Sequence, residues 1–294
     1  MNKVVLGSAI LVGLAIANPT FAADMPFKAP VAAPVYSDWS GFYVGVQAGE
    51  KWKTDDWTTG CLATGIGGAV FGCGGIANFF VNDGTGSQRF SNSGFRWGFY
   101  GGYNLQVNQN WLVGVEADWG YYKQSASLPF IPGCSTVACN SGNAPPFAGD
   151  STTVTNKWDG SLRGRLGVLV MPNVLLYGTG GVALQRVEEN LTCTSQTFSP
   201  TGAGGAACFG ANKSETQQKT LFGYTIGGGL EWKAWQNVVL RGEYRYSEFQ
   251  QFAPTFFGGQ GDIVVPASIK VRSNIATFGI AYLFGGSPAV AAKY

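Results

Sequence analysis

The residue types that carry most enzyme chemistry are absent or badly placed in this 294-residue chain. It has no histidine, which excludes Ser-His-Asp and Cys-His nucleophilic mechanisms and any imidazole ligand for zinc or heme. Its six cysteines contain no CxxC pair and fall two at a time, Cys61 with Cys73, Cys134 with Cys139 and Cys193 with Cys208, into three separate stretches. Six cysteines allow many connectivities, and local bonding within each stretch is the economical one. Closing a loop of about a dozen residues stabilises by ~3 kcal/mol, by removing chain entropy from the unfolded state, provided the compartment is oxidising. Gly178-Thr179-Gly180-Gly181-Val182-Ala183 spells GxGxxA, but no helical period follows it and no acidic residue stands at the ribose-binding distance, so these glycines read as close packing. Neither a cofactor nor a metal is expected.

What remains is a constellation of charge: Arg96, Glu116, Asp118, Asp159, Arg163, Arg165, Glu231, Arg241, Glu243 and Arg245. There are five cations and five anions, each in a stretch of period-two alternation that sends the charged and small residues to one face and the large apolar residues to the other. A soluble barrel would do the opposite. Apolar outside and charged inside is the pattern of a closed sheet bathed in hydrocarbon. Unpaired charge in its narrow lumen would cost several kcal/mol, so the set is expected to neutralise itself, either as packing filler or as a plug or narrow gate.

Eight stretches position these residues. They are Gly41 to Gly49, Ser93 to Gln106, Trp111 to Tyr122, Asn156 to Val170, Val174 to about Glu188, Thr220 to Trp232, Asn237 to Phe249 and Lys270 to Phe284. Tight turns near Val107 to Asn110, Met171-Pro172-Asn173 and Ala234 to Gln236 alternate with four long connections, about Lys51 to Asn92, Lys123 to Thr155, Glu189 to Lys219 and Gln250 to Ile269. The reading is all-β: an eight-stranded antiparallel transmembrane up-and-down β-barrel with four long extracellular loops and short periplasmic turns. Trp39, Tyr43, Trp111, Trp119, Tyr121, Trp232 and Trp235 near strand ends are expected to form an aromatic girdle at the head-group levels.

Export is read independently from the start of the chain. Lys3 precedes the apolar run Val4 to Ala17 and the small-residue site Thr20-Phe21-Ala22, which makes 1–22 a signal peptide. Residues 23–38, with Pro26, Pro30 and Pro34, form an extended Pro/Ala-rich periplasmic leader; 39–284 is the barrel and 285–294 a short tail. Charged residues are only 12% of the chain and aromatics 14%, against a charged share of about 25% in soluble proteins. A net charge of +2 is too small to point to nucleic acid.

Trp39-Ser40-Gly41-Phe42-Tyr43-Val44-Gly45, Arg241-Gly242-Glu243-Tyr244-Arg245-Tyr246 and the last strand Thr277-Phe278-Gly279-Ile280-Ala281-Tyr282-Leu283-Phe284 resemble the small porin-family outer-membrane proteins of rhizobial and Brucella-type alphaproteobacteria. Theirs is an eight-stranded OmpA-like barrel. Gly279, Tyr282 and Phe284 resemble the closing-strand signal read by the barrel-insertion machinery, here followed by ten further residues. The resemblance implies surface-exposed antigenic loops and a structural or host-contact role, with hemin or host matrix among the ligands known in such families. The expected partners are therefore outer-membrane lipid and lipopolysaccharide, the insertion machinery, and host or environmental surface ligands. The reading is a non-enzymatic structural and surface protein with at most a narrow pore. A general diffusion porin and a loop-based adhesin or ligand-capture protein are its alternatives.

Overall fold

The computed structural model describes residues 38–59, 63–64, 87–129, 132, 151–193, 212–257 and 263–285. The expected signal peptide, most of the leader and nearly all of the tail lie outside these residues, as do five of the six cysteines; of Cys193 only the backbone is described. The disulfide expectation therefore lies outside them too.

Eight long strands make the wall: β1 Gly41–Thr59, β2 Ser87–Gln106, β3 Trp111–Leu128, β4 Ser151–Met171, β5 Val174–Cys193, β6 Lys213–Lys233, β7 Val238–Phe249 and β8 Ile263–Phe284. Each pairs antiparallel with its sequence neighbour, and β1 closes on β8 from Phe42↔Phe284 to Thr59↔Ala267. Closure satisfies the backbone N–H and C=O groups within the wall, which is what allows a sheet to cross hydrocarbon. The β2–β3 turn is built by Asn108, whose Oδ1 accepts from the N–H of Asn110 and of Trp111, both at 2.9 Å.

Seven of the strands run well past the ends the period-two reading gave them. Residues 51–59, 87–92, 123–128, 151–155, 189–193, 213–219 and 263–269, expected in loops, are strand. The reason is a reversal of hydropathy with height. In the lower wall Phe42, Val44, Val46, Phe99, Val115, Leu166 and Ile226 face out and are about half exposed or more. Above Trp52, Trp97 and Tyr121 the outward set becomes Thr54, Asp56 and Thr58 on β1, Arg89 and Ser91 on β2, and Ser125 and Ser127 on β3. There the inward set turns apolar instead, with Trp57, Phe90, Val154, Val187, Leu191, Leu221, Phe249, Ile269 and Val271 forming a buried cluster. Hydrocarbon bathes the lower wall and water the upper, so one barrel obeys both rules in series.

Three further residues depart from expectation. Lys157, two residues before Asp159 and so on the lumen face by strict alternation, points outward to Glu188 at 2.6 Å, because a β-bulge between Asn156 and Asp159 adds a residue to β4 and changes the phase. Trp39, assigned to the girdle, is fully buried. It stoppers the periplasmic mouth. Its backbone N–H donates to Gln106 Oε1 at 3.0 Å, its indole N–H donates to the Pro172 carbonyl at 3.2 Å, and Lys233 Nζ lies 4.8 Å over its ring. One residue thus ties together the three periplasmic turn regions. Tyr43 also points inward rather than to the girdle, whereas Trp111, Trp119, Tyr121, Trp232 and Trp235 are exposed on the outer wall. Gly41 follows Trp39 for a steric reason: its φ is +137°, and a Cβ there would sit 2.0 Å from the Phe284 carbonyl oxygen at the closing seam.

Candidate functional site: the filled lumen

All ten charged residues picked out by alternation lie inside the barrel, each at most 7% exposed. They assemble in two layers around two carboxylate hubs. In the lower layer Glu116 accepts from Arg163, from Arg241 Nη1 at 2.6 Å and from the Tyr43 hydroxyl at 2.7 Å. Arg163 also donates to Glu243 at 2.9 Å, and Arg165 forms an ion pair with Glu231 at 2.9 Å. Tyrosine rings fill the space beside the guanidinium planes, Arg241 lying 3.6 Å from the Tyr100 centroid and Arg165 4.2 Å from that of Tyr177. In the upper layer Asp118 binds Arg96 at 2.6 Å and Arg245 at 2.7 Å, and also accepts from Ser161. Arg96 reaches Asp159 as well, at 2.6 Å.

β3 supplies both hubs because Leu112, Gly114, Glu116, Asp118, Gly120 and Tyr122 share its inward face. Gly120 makes room for the upper layer: a Cβ there would lie 2.2 Å from Cζ of Arg96 and meets that guanidinium first. We expect Gly120→Ala to push Arg96 off Asp118 and Asp159 and to lower the urea midpoint of the folded barrel. Arg96→Met should remove most of that penalty in a double-mutant cycle. Additive effects of the two changes would contradict the contact.

Four more buried charges belong to the same column and were missed in the sequence reading: Lys51, Lys53, Asp55 and Glu189. Lys51 pairs with Asp159 at 2.7 Å, and Lys53 bridges Asp55 at 2.7 Å and the Asn156 side chain at 2.5 Å. The signal was present, because the inward parity Tyr43, Gln47, Gly49 continues unbroken through Lys51, Lys53 and Asp55. It was hidden by ending the strand where the lipid-facing apolar residues stop. Among the described residues the interior therefore holds seven basic and seven acidic side chains. Glu189 stands apart. It lies on β5 beyond Arg186 and level with the polar outer wall, so it is above the membrane-spanning part, and neither of its carboxylate oxygens has a hydrogen-bond donor. Burial pushes its pKa up to about 8, against the opposing pull of Lys53.

Apolar groups close this column at both ends. Above it stand Trp57, Phe252, Phe256 and Phe257 with the upper-wall cluster. Below it Trp39, Leu112, Leu169, Leu175, Val239 and Leu283 pack together. Of the residues expected to carry the insertion signal, Gly279 faces the lumen beside Tyr100, while Tyr282 and Phe284 face outward, about half exposed. Among the described residues there is no cluster of acidic, Cys or His side chains able to hold a metal.

A family model described as outer membrane protein beta-barrel domain matches residues 20–284. The chain belongs to this family. Among its relatives, the 31 kDa outer-membrane immunogenic protein of Brucella melitensis is 28% identical over 259 residues, 84% of this chain and 87% of that protein. The 22 kDa outer membrane protein of Rhizobium leguminosarum bv. viciae is 31% identical over 182 residues, 61% of this chain and 64% of that protein. Solved structures similar to this outer-membrane barrel include OprG from Pseudomonas aeruginosa, with TM-score 0.46 and 10% identity over 83% of this chain and 97% of that one. Neisserial surface protein A matches with TM-score 0.33 and 14% identity over 83% of this chain and 98% of that one. As a member of the outer-membrane β-barrel family, the protein resides in the outer membrane, among its lipids.

Proposed function

We propose that this protein is a non-enzymatic structural and surface component of the outer membrane, whose barrel is a solid pin rather than a conduit. The observation that carries this reading is the lumen. Its two layers of ion pairs, joined by Tyr43 and by the Arg–Tyr stacks, are overlaid by aromatic side chains above and stoppered by Trp39 below. An ion crossing such a column must break several charge-assisted hydrogen bonds in a poorly hydrated space, at a cost of several kcal/mol. The narrow-gate and general-porin readings find no support in that arrangement. The names of the relatives, outer-membrane immunogenic proteins, favour display of the outer surface.

Planar-bilayer recording of the refolded protein tests this. We expect no resolved conductance steps from the wild type and none from Arg163→Ala or Arg241→Ala. Reproducible unitary steps from the wild type would overturn the reading in favour of a pore. Liposome swelling with small sugars offers a second readout and should match protein-free vesicles.

A further inference from the structure

Among the described residues, the upper wall is not closed all the way round. β7 ends at Phe249, opposite Gly223 of β6, whereas β6 continues to Lys213, paired on its other side with β5 as far as Cys193↔Lys213. The last backbone bond across this side of β6 runs from Gln250 N–H to the Phe222 carbonyl at 2.7 Å. By strand parity, the N–H and C=O of Thr220, Gln218, Thr216 and Ser214 point the same way as those of Phe222. Among the described residues, no backbone group pairs with them. Residues 250–257 after β7 turn to β8 instead: Phe252 exchanges backbone bonds with Ile269 at 2.9 and 2.8 Å, and Thr255–Phe256 pairs with Val265 and Pro266. It meets upper β6 through side chains, with the Phe257 N–H on Glu215 at 2.5 Å and Lys219 Nζ 5.0 Å over Phe252.

The result is a strand edge held ready in extended form. Its lower continuation is bonded on both sides and its other edge lies on β5. The outward side chains are held in a polar ladder, Asn190 donating to Ser214 and Thr216 at 2.9 Å and Arg186 to Gln218 at 2.6 Å. Free edges are usually blunted by charge, proline, a bulge or a covering segment, and here the charges are one of each sign, Glu215 and Lys219. Residues 214–220, Ser-Glu-Thr-Gln-Gln-Lys-Thr, contain no proline and are paired without a register shift.

We propose that this edge of β6, residues 214–220, is a strand-addition site for an extended, proline-free polypeptide segment of another protein outside the cell. Only an extended backbone can pair this row of N–H and C=O groups, and the edge needs little ordering to receive one. The segment runs antiparallel to β6, where β7 would have continued. It sets hydroxyl or amide side chains against Ser214, Thr216, Gln218 and Thr220, a basic residue opposite Glu215 and an acidic one opposite Lys219. A second copy in the same membrane does not fit, because its β6 runs in the same direction across the bilayer.

The probe is a labelled peptide Lys-Ser-Glu-Thr-Gln-Gln-Lys-Thr, a copy of residues 213–220. Paired antiparallel about Gln217, it sets its own Glu opposite Lys219 and its second Lys opposite Glu215. Binding to the full barrel in detergent micelles is read by fluorescence anisotropy, with a scrambled peptide as control. Saturable binding specific to this order of residues is expected. N-methylation of the peptide at the Ser, Thr and Gln positions equivalent to 214, 216 and 218 should weaken it at least about tenfold, from the loss of several hydrogen bonds. Methylation at the equivalents of 215, 217 and 219, whose N–H groups point away from the barrel edge, should leave it nearly unchanged. The barrel variant Thr216→Pro with Gln218→Pro should lose binding while keeping its heat-modifiable gel mobility. Absence of saturable binding, or equal effects of the two methylation patterns, overturns the proposal. The peptide series uses the wild-type barrel and decides the matter even if the proline variant does not fold.

Discussion

Replacing Glu116 with alanine is expected to destabilise the folded barrel by ~3–5 kcal/mol, the range for breaking a buried charge pair while leaving its partners behind. Glu116 is fully enclosed and receives Arg163, Arg241 and the Tyr43 hydroxyl, with Arg165 a further 3.5 Å away. Without it Arg241 keeps the neutral Gln47 oxygen at 3.0 Å and, as its nearest remaining carboxylate, Glu243 at 3.8 Å, and an excess positive charge is buried in the lumen. The urea midpoint of the barrel in micelles, followed by heat-modifiable gel mobility, measures the loss. Adding Arg241→Met should recover a substantial part of it, since the orphaned cation is then removed. A loss below about 1 kcal/mol, typical of exposed pairs, would mean that the lumen is hydrated and the network screened.

Glu189→Gln should act in the opposite direction. Its carboxyl is buried without a donor, and burial pushes its pKa up to about 8 from the ordinary 4.5. Below pH 4.5 both folded and unfolded forms are protonated, and the group does not bias folding. Between 4.5 and 8 the unfolded chain ionises while the folded one resists, so stability is progressively lost as pH rises, by about 1.4 kcal/mol per unit of pKa difference. Glutamine mimics the protonated carboxyl at every pH. We therefore expect the variant to match the wild type near pH 4, to exceed it by a few kcal/mol above pH 8, and to show most of the divergence between those limits. Urea titrations at a series of pH values would reveal this; parallel curves for the two proteins would show that Glu189 finds a compensating partner.

The apolar-out, charged-in alternation of Phe42 to Gly49 or Trp111 to Tyr122 was enough to read a transmembrane barrel and the ten inward charges, because period two is a local property of extended chain. The same reasoning stopped short at Lys51, Ser93 and Glu189. It took the lipid-facing pattern as the definition of a strand, and above the membrane that pattern reverses: Trp57 and Leu191 turn inward while Asp56 and Asn190 turn outward. The bulge at Asn156 to Asp159 moved Lys157 to the outer wall for a comparable reason, since one added residue changes the phase of what precedes it.

Local alternation along each strand thus settled which side of the wall a residue occupies, and with it the barrel class and the polar lumen. Which charge meets which was beyond it. Arg241 on β7 reaches Glu116 on β3 across the lumen, and Trp39 reaches the Pro172 carbonyl, 133 positions away. Such partners are chosen by register, closure and the small radius of the barrel, which no local pattern encodes. The heights of the strands, the capping of the lumen and the early end of β7 beside β6 were likewise decided only when eight strands of unequal length closed around one axis.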